Sequence, residues 1–103
     1  MKEPDYNLVL TEEDKIRISF TKKHGKVERF IVQYFALINS RWRSIMRVDT
    51  CHGYAHKHTY HLSGKEHLVA LSKQGDDINP IFTEWSGHIR RNFNKIKQNF
   101  LSN

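Results

Sequence analysis

The segment that decides the fold of this chain runs Val27-Glu28-Arg29-Phe30-Ile31-Val32-Gln33-Tyr34-Phe35-Ala36-Leu37-Ile38. Large apolar side chains occupy both odd and even positions, although successive side chains of a strand point to opposite faces. One face would carry Phe30, Val32, Tyr34, Ala36 and Ile38, and the other would carry Ile31, Phe35 and Leu37. A strand that is apolar on both faces is typical of the middle of a sheet. We therefore predict a central strand at residues 27–38 that is covered on both sides.

Segments with alternating apolar and polar residues lie on either side of this strand. Short turn sequences such as Lys22-Lys23-His24-Gly25 and Asn39-Ser40 separate them, so neighbouring strands are expected to run antiparallel. Alternation over residues 42–49 would place Arg43, Arg47 and Asp49 in a row on one face. The whole pattern predicts an antiparallel sheet of four or five strands, drawn from residues 15–20, 27–38, 42–49, 58–62 and 67–71.

The C-terminal part of the chain has the signals of an amphipathic helix. Asn79 is a favourable N-cap residue, and Pro80 suits the first helical position. Apolar side chains then recur at intervals of three and four residues, at Phe82, Trp85, Ile89, Phe93, Ile96 and Phe100. The outer face would carry Arg90, Arg91, Lys95 and Lys97. We predict an α+β fold in which this one C-terminal helix packs across one face of the sheet.

Length and charge indicate one domain preceded by an acidic arm. The chain has 103 residues and a formal net charge of +6. Residues 1–14 contain one lysine and five acidic residues, a net charge of −4, so the remaining residues carry +10. We therefore predict an acidic N-terminal arm at residues 1–14 and a single α+β domain at residues 15–103. Such a basic domain favours an acidic partner, for example RNA or an acidic protein.

Other features are typical of a soluble cytoplasmic protein. The N-terminal residues contain no apolar stretch like that of a signal peptide. The strongest apolar run, at residues 30–38, is far too short to span a bilayer. Cys51 is the single cysteine, which excludes an intrachain disulfide and suits a reducing compartment. We expect a cytoplasmic location and no membrane association.

Histidines are concentrated after the predicted strand at residues 42–49. Six of the seven lie between His52 and His88, and the densest segment is residues 49–61. If residues 56–61 are extended, His56 and His58 share a face with Tyr60, and their backbones are ~7 Å apart. Two imidazoles at that spacing can converge on one phosphate or one metal ion. We therefore expect the functional site in this segment.

The first interpretation of the segment is general acid–base catalysis of RNA cleavage. Cleavage needs a base for the 2′-hydroxyl and an acid for the leaving oxygen, and histidine exchanges protons near neutral pH. The candidates for these roles are His52, His56 and His58. Cations must stabilise the phosphorane charge, and the candidates are Arg43, Arg47 and Lys57. Asp49 would orient a histidine, and the chemistry requires no cofactor.

Two other interpretations stay open. A metal site would use His56, His58 and His61, joined by Cys51, His52 or Asp49, since these are ligand types for zinc and other transition metals. The sequence has neither paired-cysteine spacing nor a helical His-Glu-x-x-His pattern. Alternatively, the histidines shape a turn or a protein-binding surface, and the chain is a non-enzymatic interaction module that dimerises through the sheet. The residues alone leave open whether the chain is an enzyme.

Residues elsewhere indicate how a nucleic acid would be held. The candidate contacts to a phosphate backbone are Arg43, Lys57, Arg90, Arg91 and Lys95. The rings of Trp42 and Trp85 are able to stack on bases. Both tryptophans stand at positions in phase with the core, however, so we expect them to be buried.

A resemblance to known proteins is carried by two stretches, Phe30-Ile31-Val32-Gln33-Tyr34 and Arg47-Val48-Asp49-Thr50-Cys51-His52-Gly53-Tyr54-Ala55-His56-Lys57. They resemble a family of small uncharacterised prokaryotic proteins, in which a central strand is followed by an Asp-Thr-x-His-Gly-aromatic-x-His motif. The pattern is more loosely similar to TumE-type toxins of toxin–antitoxin pairs, in which a histidine cluster follows an arginine-x-aspartate strand. This similarity implies an antitoxin partner and functional positions at Arg47, Asp49, His56 and His58. The chain differs from those toxins in its Thr-Cys-His-Gly loop, its histidine spacing and its longer C-terminal helix.

The main functional prediction is a small basic RNA-binding protein, in its most specific form a metal-independent ribonuclease of toxin–antitoxin type. The leading alternative is a non-enzymatic interaction module that forms a homodimer. The second alternative is a metal-binding protein with histidine ligands.

Overall fold

The structure, a computed structural model, describes residues 4–51 and 53–102. Over this part of the chain it contains six strands and one helix, namely β1 (Asp5–Thr11), β2 (Asp14–Lys23), β3 (Lys26–Ile38), β4 (Arg41–Asp49), β5 (His56–Tyr60), β6 (Glu66–Ala70) and α1 (Asn79–Ser102). The α+β class and the C-terminal helix on an antiparallel sheet are confirmed, but the predicted number of four or five strands is wrong. The additional strand is β1, from the segment interpreted as an acidic arm. Leu8 of β1 pairs with Ile16 of β2 and packs against the core, and this apolar contact stabilises the acidic segment as a strand of the sheet.

The six strands lie in the sheet in the order in which they follow along the chain, each antiparallel to the next. Such a meander needs only short connections. His24 and Gly25 have φ angles of 52° and 78°, and Asn39 and Ser40 have φ angles of 52° and 66°. Positive φ at both central residues is the hairpin geometry whose twist matches that of the flanking strands. These two turns therefore set the register of β3 against β2 and β4.

The core lies between the sheet and α1, on the side that we call the helix face. Phe30, Val32 and Tyr34 of β3 are buried there. The ring of Phe82 lies 5.2 Å from that of Phe30, and the ring of Phe93 lies 6.1 Å from that of Tyr34. Neighbouring strands contribute Ile16, Ile18, Met46 and Val48. The predicted apolar stripe of the helix thus packs across one face of the sheet.

The opposite side, which we call the open face, has no helix over it in the part of the chain that the structure describes. Ile31, Phe35 and Leu37 of β3 lie on this face and are half-buried. Within the described residues, α1 therefore covers one face of β3, and cover on the second face stays a prediction. Arg17 pairs with Gln33 across β2 and β3, so charged and polar side chains flank the apolar row.

A β-bulge in β4 changes which face its first residues occupy. The register passes from Tyr34 opposite Met46 to Phe35 opposite Ser44, and this leaves Ile45 without a cross-strand partner. A bulge inserts one extra residue, so the alternation of side chains shifts by one position on its N-terminal side. Ile45 and Met46 are both buried as a result.

The bulge separates charged residues that simple alternation predicts to be neighbours. Arg43 pairs with Ala36 on the helix face, and its guanidinium lies 5.7 Å from the ring of Phe100. The predicted row of two arginines and an aspartate is therefore broken. Trp42 lies on the open face and is 43% exposed, so its predicted burial is also wrong. Trp85 packs against the core and is half-buried.

A buried ion pair fastens α1 to the sheet. Nζ of Lys97 lies 2.8 Å from Oδ1 of Asp14, and the hydroxyls of Thr11 and Tyr34 donate hydrogen bonds to the same carboxylate. Burial opposes ionisation of Asp14, but the hydrogen bonds from Lys97, Thr11 and Tyr34 outweigh it and lower the pKa of this carboxyl. Burial, together with this carboxylate, raises the pKa of Tyr34. Lys97, predicted on the outer face of the helix, is therefore an internal contact.

The start of α1 differs from the predicted cap. The helix begins at Asn79 as predicted. Oδ1 of Asn79, however, accepts the backbone N–H of Val27 at 3.1 Å, and Oδ1 of Asp77 accepts the N–H of Asn79. The asparagine therefore joins the helix to β3 instead of capping it. Among the described residues, no helix is both long enough and apolar enough to cross a membrane.

Candidate active site

The pairing of β4 with β5 brings predicted site residues into two adjacent cross-strand pairs. Arg47 lies opposite His58, and Asp49 lies opposite His56. These side chains alternate with Val48, which is buried on the helix face, so all of them lie on the open face. The structure therefore brings Arg47, Asp49, His56 and His58 into one cluster.

Asp49 is the buried anion of this cluster. Its Oδ1 accepts the backbone N–H of Cys51 at 3.0 Å, and its Oδ2 lies 2.6 Å from Nε of Arg47. The Nε–H bond is not aligned with that oxygen, so the contact is a close ion pair without a well-directed hydrogen bond. Pairing and hydrogen bonding are what make a buried carboxylate tolerable. The side chain of Arg47 is 34% exposed and extends from this carboxylate to the surface.

His58 links the cluster to β6. Its Nδ1 lies 2.7 Å from Oε1 of Glu66, and its Nε2 lies 3.4 Å from Nη2 of Arg47 and 3.6 Å from Oδ2 of Asp49. A carboxylate only accepts hydrogen bonds and a guanidinium only donates them. With its hydrogen on Nδ1, His58 would donate to Glu66, and the lone pair of Nε2 would face the guanidinium of Arg47. Nε2 is therefore held next to both a cation and a carboxylate.

His56 lies deeper than His58. It is 5% exposed, and its ring centroid is 4.2 Å from that of Tyr54 and 6.4 Å from that of His58. Tyr54 belongs to the loop that contains Gly53, whose φ of 86° suits glycine. The ring of Tyr54 therefore packs against that of His56, which is almost completely buried.

Tyr60 completes the row of side chains on this face of β5. Its ring lies 6.2 Å from that of His58, and the two planes are nearly parallel at 13°. Burial raises the pKa of Tyr60; the charge of Arg47 acts in the opposite direction, and the carboxylates of Glu66 and Asp49 raise it further. The hydroxyl therefore stays protonated near neutral pH and is able to donate a hydrogen bond.

A cleft of about 330 Å³ opens beside the cluster. Arg47 and Asp49 form part of its wall. The remaining wall includes Ser19, Thr21, Arg29, Ile31 and Cys51. A ligand in the cleft would therefore contact the same guanidinium that lies beside His58.

The third histidine of the metal hypothesis lies apart from the other two. His61 is buried after the end of β5, with its ring 4.9 Å from that of His67. His67 pairs with Thr59, which faces the helix, so this contact is on the other side of the sheet from His56 and His58. Within residues 4–51 and 53–102, no group of three or more histidine, cysteine, aspartate or glutamate side chains is placed to hold a metal ion. The predicted ligands His56, His58 and His61 do not converge.

The predicted nucleic-acid contacts also lie on the helix side of the sheet. Nζ of Lys57 is 5.1 Å from the ring centroid of Trp85, and Arg43 lies beside Phe100. The exposed residues of α1 in this set are Arg90, Arg91 and Lys95. The acid–base interpretation expected Arg43 and Lys57 to provide cations beside His58, but both lie on the other side of the sheet. The position beside His58 is occupied by Arg47.

Several residues of the cluster and the cleft were not predicted. Glu66 falls between the predicted strands at residues 58–62 and 67–71, and its contact with His58 depends on the register of β5 against β6. Ser19 and Thr21 alternate with core residues on β2, which was a usable signal for their position on the open face. His52, a predicted catalytic residue, lies outside the described residues and its role stays a prediction.

Comparison with known proteins assigns a family without an activity. No curated protein and no solved structure shows a significant match to the chain. The resemblance to TumE-type toxins therefore stays a prediction. A family profile described as "Domain of unknown function (DUF7718)" matches residues 1–103. Because that match spans all 103 residues, the chain belongs to the DUF7718 family of domains of unknown function.

Proposed function

We propose that this protein binds single-stranded RNA on its open face and cleaves it at Arg47, Asp49, His56 and His58, without a metal ion or other cofactor. The observation that carries the proposal is the position of Nε2 of His58, 3.4 Å from Nη2 of Arg47 on a surface that the helix leaves uncovered. Cleavage of RNA needs a base for the 2′-hydroxyl and a cation for the developing negative charge. This pair of side chains supplies both.

The composition of the open face supports binding of single strands. Its aromatic rings include Phe35, Trp42 and Tyr60, and unpaired bases stack on such rings. Nζ of Lys15 lies 4.2 Å from the ring centroid of Trp42, so a cation for the phosphate backbone is next to a stacking surface. Bases in an A-form duplex are not free to stack in this way. We therefore expect the protein to bind single-stranded RNA more tightly than duplex RNA.

The proposed reaction is transesterification. Nε2 of His58 accepts the proton of the 2′-hydroxyl, the 2′-oxygen attacks the adjacent phosphorus, and the bond to the 5′-oxygen breaks. The leaving oxygen takes a proton, and the products are a 2′,3′-cyclic phosphate and a 5′-hydroxyl. Arg47, held by Asp49, neutralises charge on the non-bridging oxygens. His56 is the proposed acid, and His52 is the alternative acid.

The direct test is cleavage of a labelled single-stranded RNA by the purified protein. His58→Ala should reduce the rate by ~10²-fold or more, as expected for loss of a general base. His24→Ala is the matched control, since His24 is an exposed turn residue remote from the cluster. A substrate with a 2′-deoxy sugar at the cleaved position should resist cleavage. Absence of cleavage by the unchanged protein, or equal loss in both variants, contradicts the proposal.

The toxin–antitoxin form of the proposal is tested in cells. Expression of the unchanged protein in a heterologous host should arrest growth and degrade RNA, whereas His56→Ala and His58→Ala should not. Co-expression of a cognate antitoxin protein should restore growth. Unaffected growth and intact RNA on expression of the unchanged protein would exclude a toxin.

A second candidate function, homodimerisation, is favoured by the edge of the sheet. All residues of β6 are exposed, including Leu68 at 59% and Val69 at 47%, and β6 is the last strand in the sheet order. An exposed edge strand with apolar side chains is a template for pairing with another strand. Light scattering should then show a dimer that Leu68→Lys converts to a monomer. A monomeric unchanged protein at high concentration contradicts this function.

A further inference from the structure

We propose that the cleft between β2, β3 and the end of β4 binds a phosphate monoester. Its occupant in the cell is inferred to be the terminal phosphate of an RNA strand that continues past His58. The inferred occupant rests on the proposed function, whereas binding of a phosphate monoester does not. The residues that carry the inference are Arg29, Arg47, Ser19 and Thr21, all of which line the cleft.

Cross-strand pairing places these groups side by side on the open face. Thr21 of β2 pairs with Arg29 of β3, and Ser19 pairs with Ile31. Ile31 in turn pairs with Asp49 of β4, next to Arg47. Directly opposite side chains have Cβ atoms ~5 Å apart, so hydroxyl and guanidinium donors from adjacent strands can bind the oxygens of one ligand.

The charges of the cleft favour a dianion. Among the described residues, none forms an ion pair or side-chain hydrogen bond with Arg29. Asp49 is the carboxylate in the wall, and its oxygens already contact Nε of Arg47 and the N–H of Cys51. Two guanidiniums therefore stand against one engaged carboxylate. Guanidiniums pair with phosphate oxygens through two parallel N–H donors, which a halide ion cannot match.

The size of the cleft favours a phosphate that carries a sugar. A volume of about 330 Å³ is within the ~300–1,000 Å³ range of sites for small organic ligands. Ile31, which is half-buried on the open face, adds apolar surface to its wall. Donors for the phosphate and apolar surface for the attached nucleoside are therefore present together.

Arg47 connects the cleft to the cluster. Its Nη2 contacts Nε2 of His58, while its side chain also lines the cleft. A terminal phosphate bound in the cleft would thus lie on one side of this guanidinium, and the bond to be cleaved would lie on the other. The cleft would thereby select strands with a terminal phosphate and position the next phosphodiester at His58.

Cys51 is a built-in reporter for the test, because it is the single cysteine, is exposed and lines the cleft. The experiment measures alkylation of the full chain by anionic iodoacetate and by neutral iodoacetamide. The rate with iodoacetate divided by the rate with iodoacetamide should be roughly threefold or more higher in the unchanged protein than in Arg29→Gln, because a nearby cation attracts the anionic reagent. Arg90→Gln, the same change on exposed helix surface, is the matched control and should leave the ratio unchanged.

Protection experiments identify the ligand. Inorganic phosphate, adenosine 5′-monophosphate and a 5′-phosphorylated oligoribonucleotide should each slow alkylation of Cys51 in the unchanged protein but not in Arg29→Gln. Adenosine and an oligoribonucleotide with a 5′-hydroxyl should protect much less. No protection at ~10 mM phosphate or nucleotide, well above a millimolar Kd, overturns the inference. Equal alkylation ratios in the unchanged protein and Arg29→Gln also overturn it.

The outcome is separable from that of the proposed function. Protection by adenosine 5′-monophosphate without cleavage of any RNA would retain the phosphate site and reject the ribonuclease. Cleavage that is equally fast for 5′-phosphorylated and 5′-hydroxyl strands, without protection of Cys51, would retain the ribonuclease and reject the phosphate site.

Discussion

The helix face and the open face belong to the same sheet but differ in what their side chains do. On the helix face, Tyr34 and Val32 of β3 are fully buried beneath α1. On the open face, Ile31 and Phe35 of the same strand are half-buried beside charged neighbours. Burial against the helix supplies most of the stabilising contact, so the second face is free to hold exposed cations and histidines. Such groups would be costly in a dry interface.

The largest expected effect is on the helix face. Ile89 of α1 is fully buried, and Ile89→Ala should lower the free energy of unfolding by about 3–4 kcal/mol, through lost transfer energy and a cavity. Ile31→Ala is the matched change on the open face, where the side chain is half-buried, and it should cost about 1 kcal/mol. Urea denaturation measures both values. Equal losses would mean that the two faces contribute equally to stability.

The buried ion pair should give the next largest effect. Lys97→Met leaves the carboxylate of Asp14 buried without its cation, and the free energy of unfolding should fall by about 2–3 kcal/mol. Asp14→Asn, which keeps the acceptor for Tyr34 and removes the charge, should cost less in the Lys97→Met background than in the unchanged protein. A double-mutant cycle by urea denaturation measures this coupling. Additive losses would show that the pair does not stabilise the fold.

The same carboxylate should make stability depend on pH. The pKa of Asp14 is lowered in the folded protein from its ordinary value of 3.8. A lowered pKa means that the stabilisation is complete above the unfolded-state value and is lost as pH falls below it through the folded-state value. The midpoint of urea denaturation should therefore fall as pH drops below 3.8, and the fall should be smaller in Asp14→Asn. An equal fall in both proteins would assign the acid sensitivity to other carboxyls.

The smallest effect on stability should come from a cation on the open face. Lys15→Gln should change the free energy of unfolding by less than about 0.5 kcal/mol. If RNA lies on the open face, this variant should weaken RNA binding and reduce the slope of log affinity against log salt by about one. Arg90→Gln, on the outside of α1, should leave that slope unchanged. The reverse result would place RNA on the helix face.

Periodicity predicted the elements whose pattern reflects burial. The spacing of large residues from Phe82 to Phe100 correctly indicated the helix and the side that packs. The alternation in β2 and β5 correctly indicated strands. It failed at Ile45, because a bulge inserts a residue without any change in composition, and Arg43 and Trp42 then face the opposite way. It also failed at β1, where acidic residues concealed a strand paired through Leu8.

The sequence predicted the histidines, the arginine and the aspartate of the candidate site, but not all the side chains that contact them. Strand alternation placed His56 and His58 on one face, and the pairing of β4 with β5 then put Arg47 and Asp49 beside them. Glu66 was not predictable, because its contact with His58 requires the register of a third strand. The inward position of Lys97 was also unpredictable, because it depends on an ion pair with Asp14, a residue of the sheet that is far away in sequence.

The order of residues is enough to predict an α+β chain with a long central strand, an amphipathic C-terminal helix and a histidine-rich segment after Asp49. Local hydrophobic period and turn residues carry that information, because each acts over a few neighbouring positions. Which cations lie beside the histidines, which face stays open and where the cleft forms become visible only in the folded chain. These depend on strand register and on one bulge, and register is set by contacts between residues far apart in the chain.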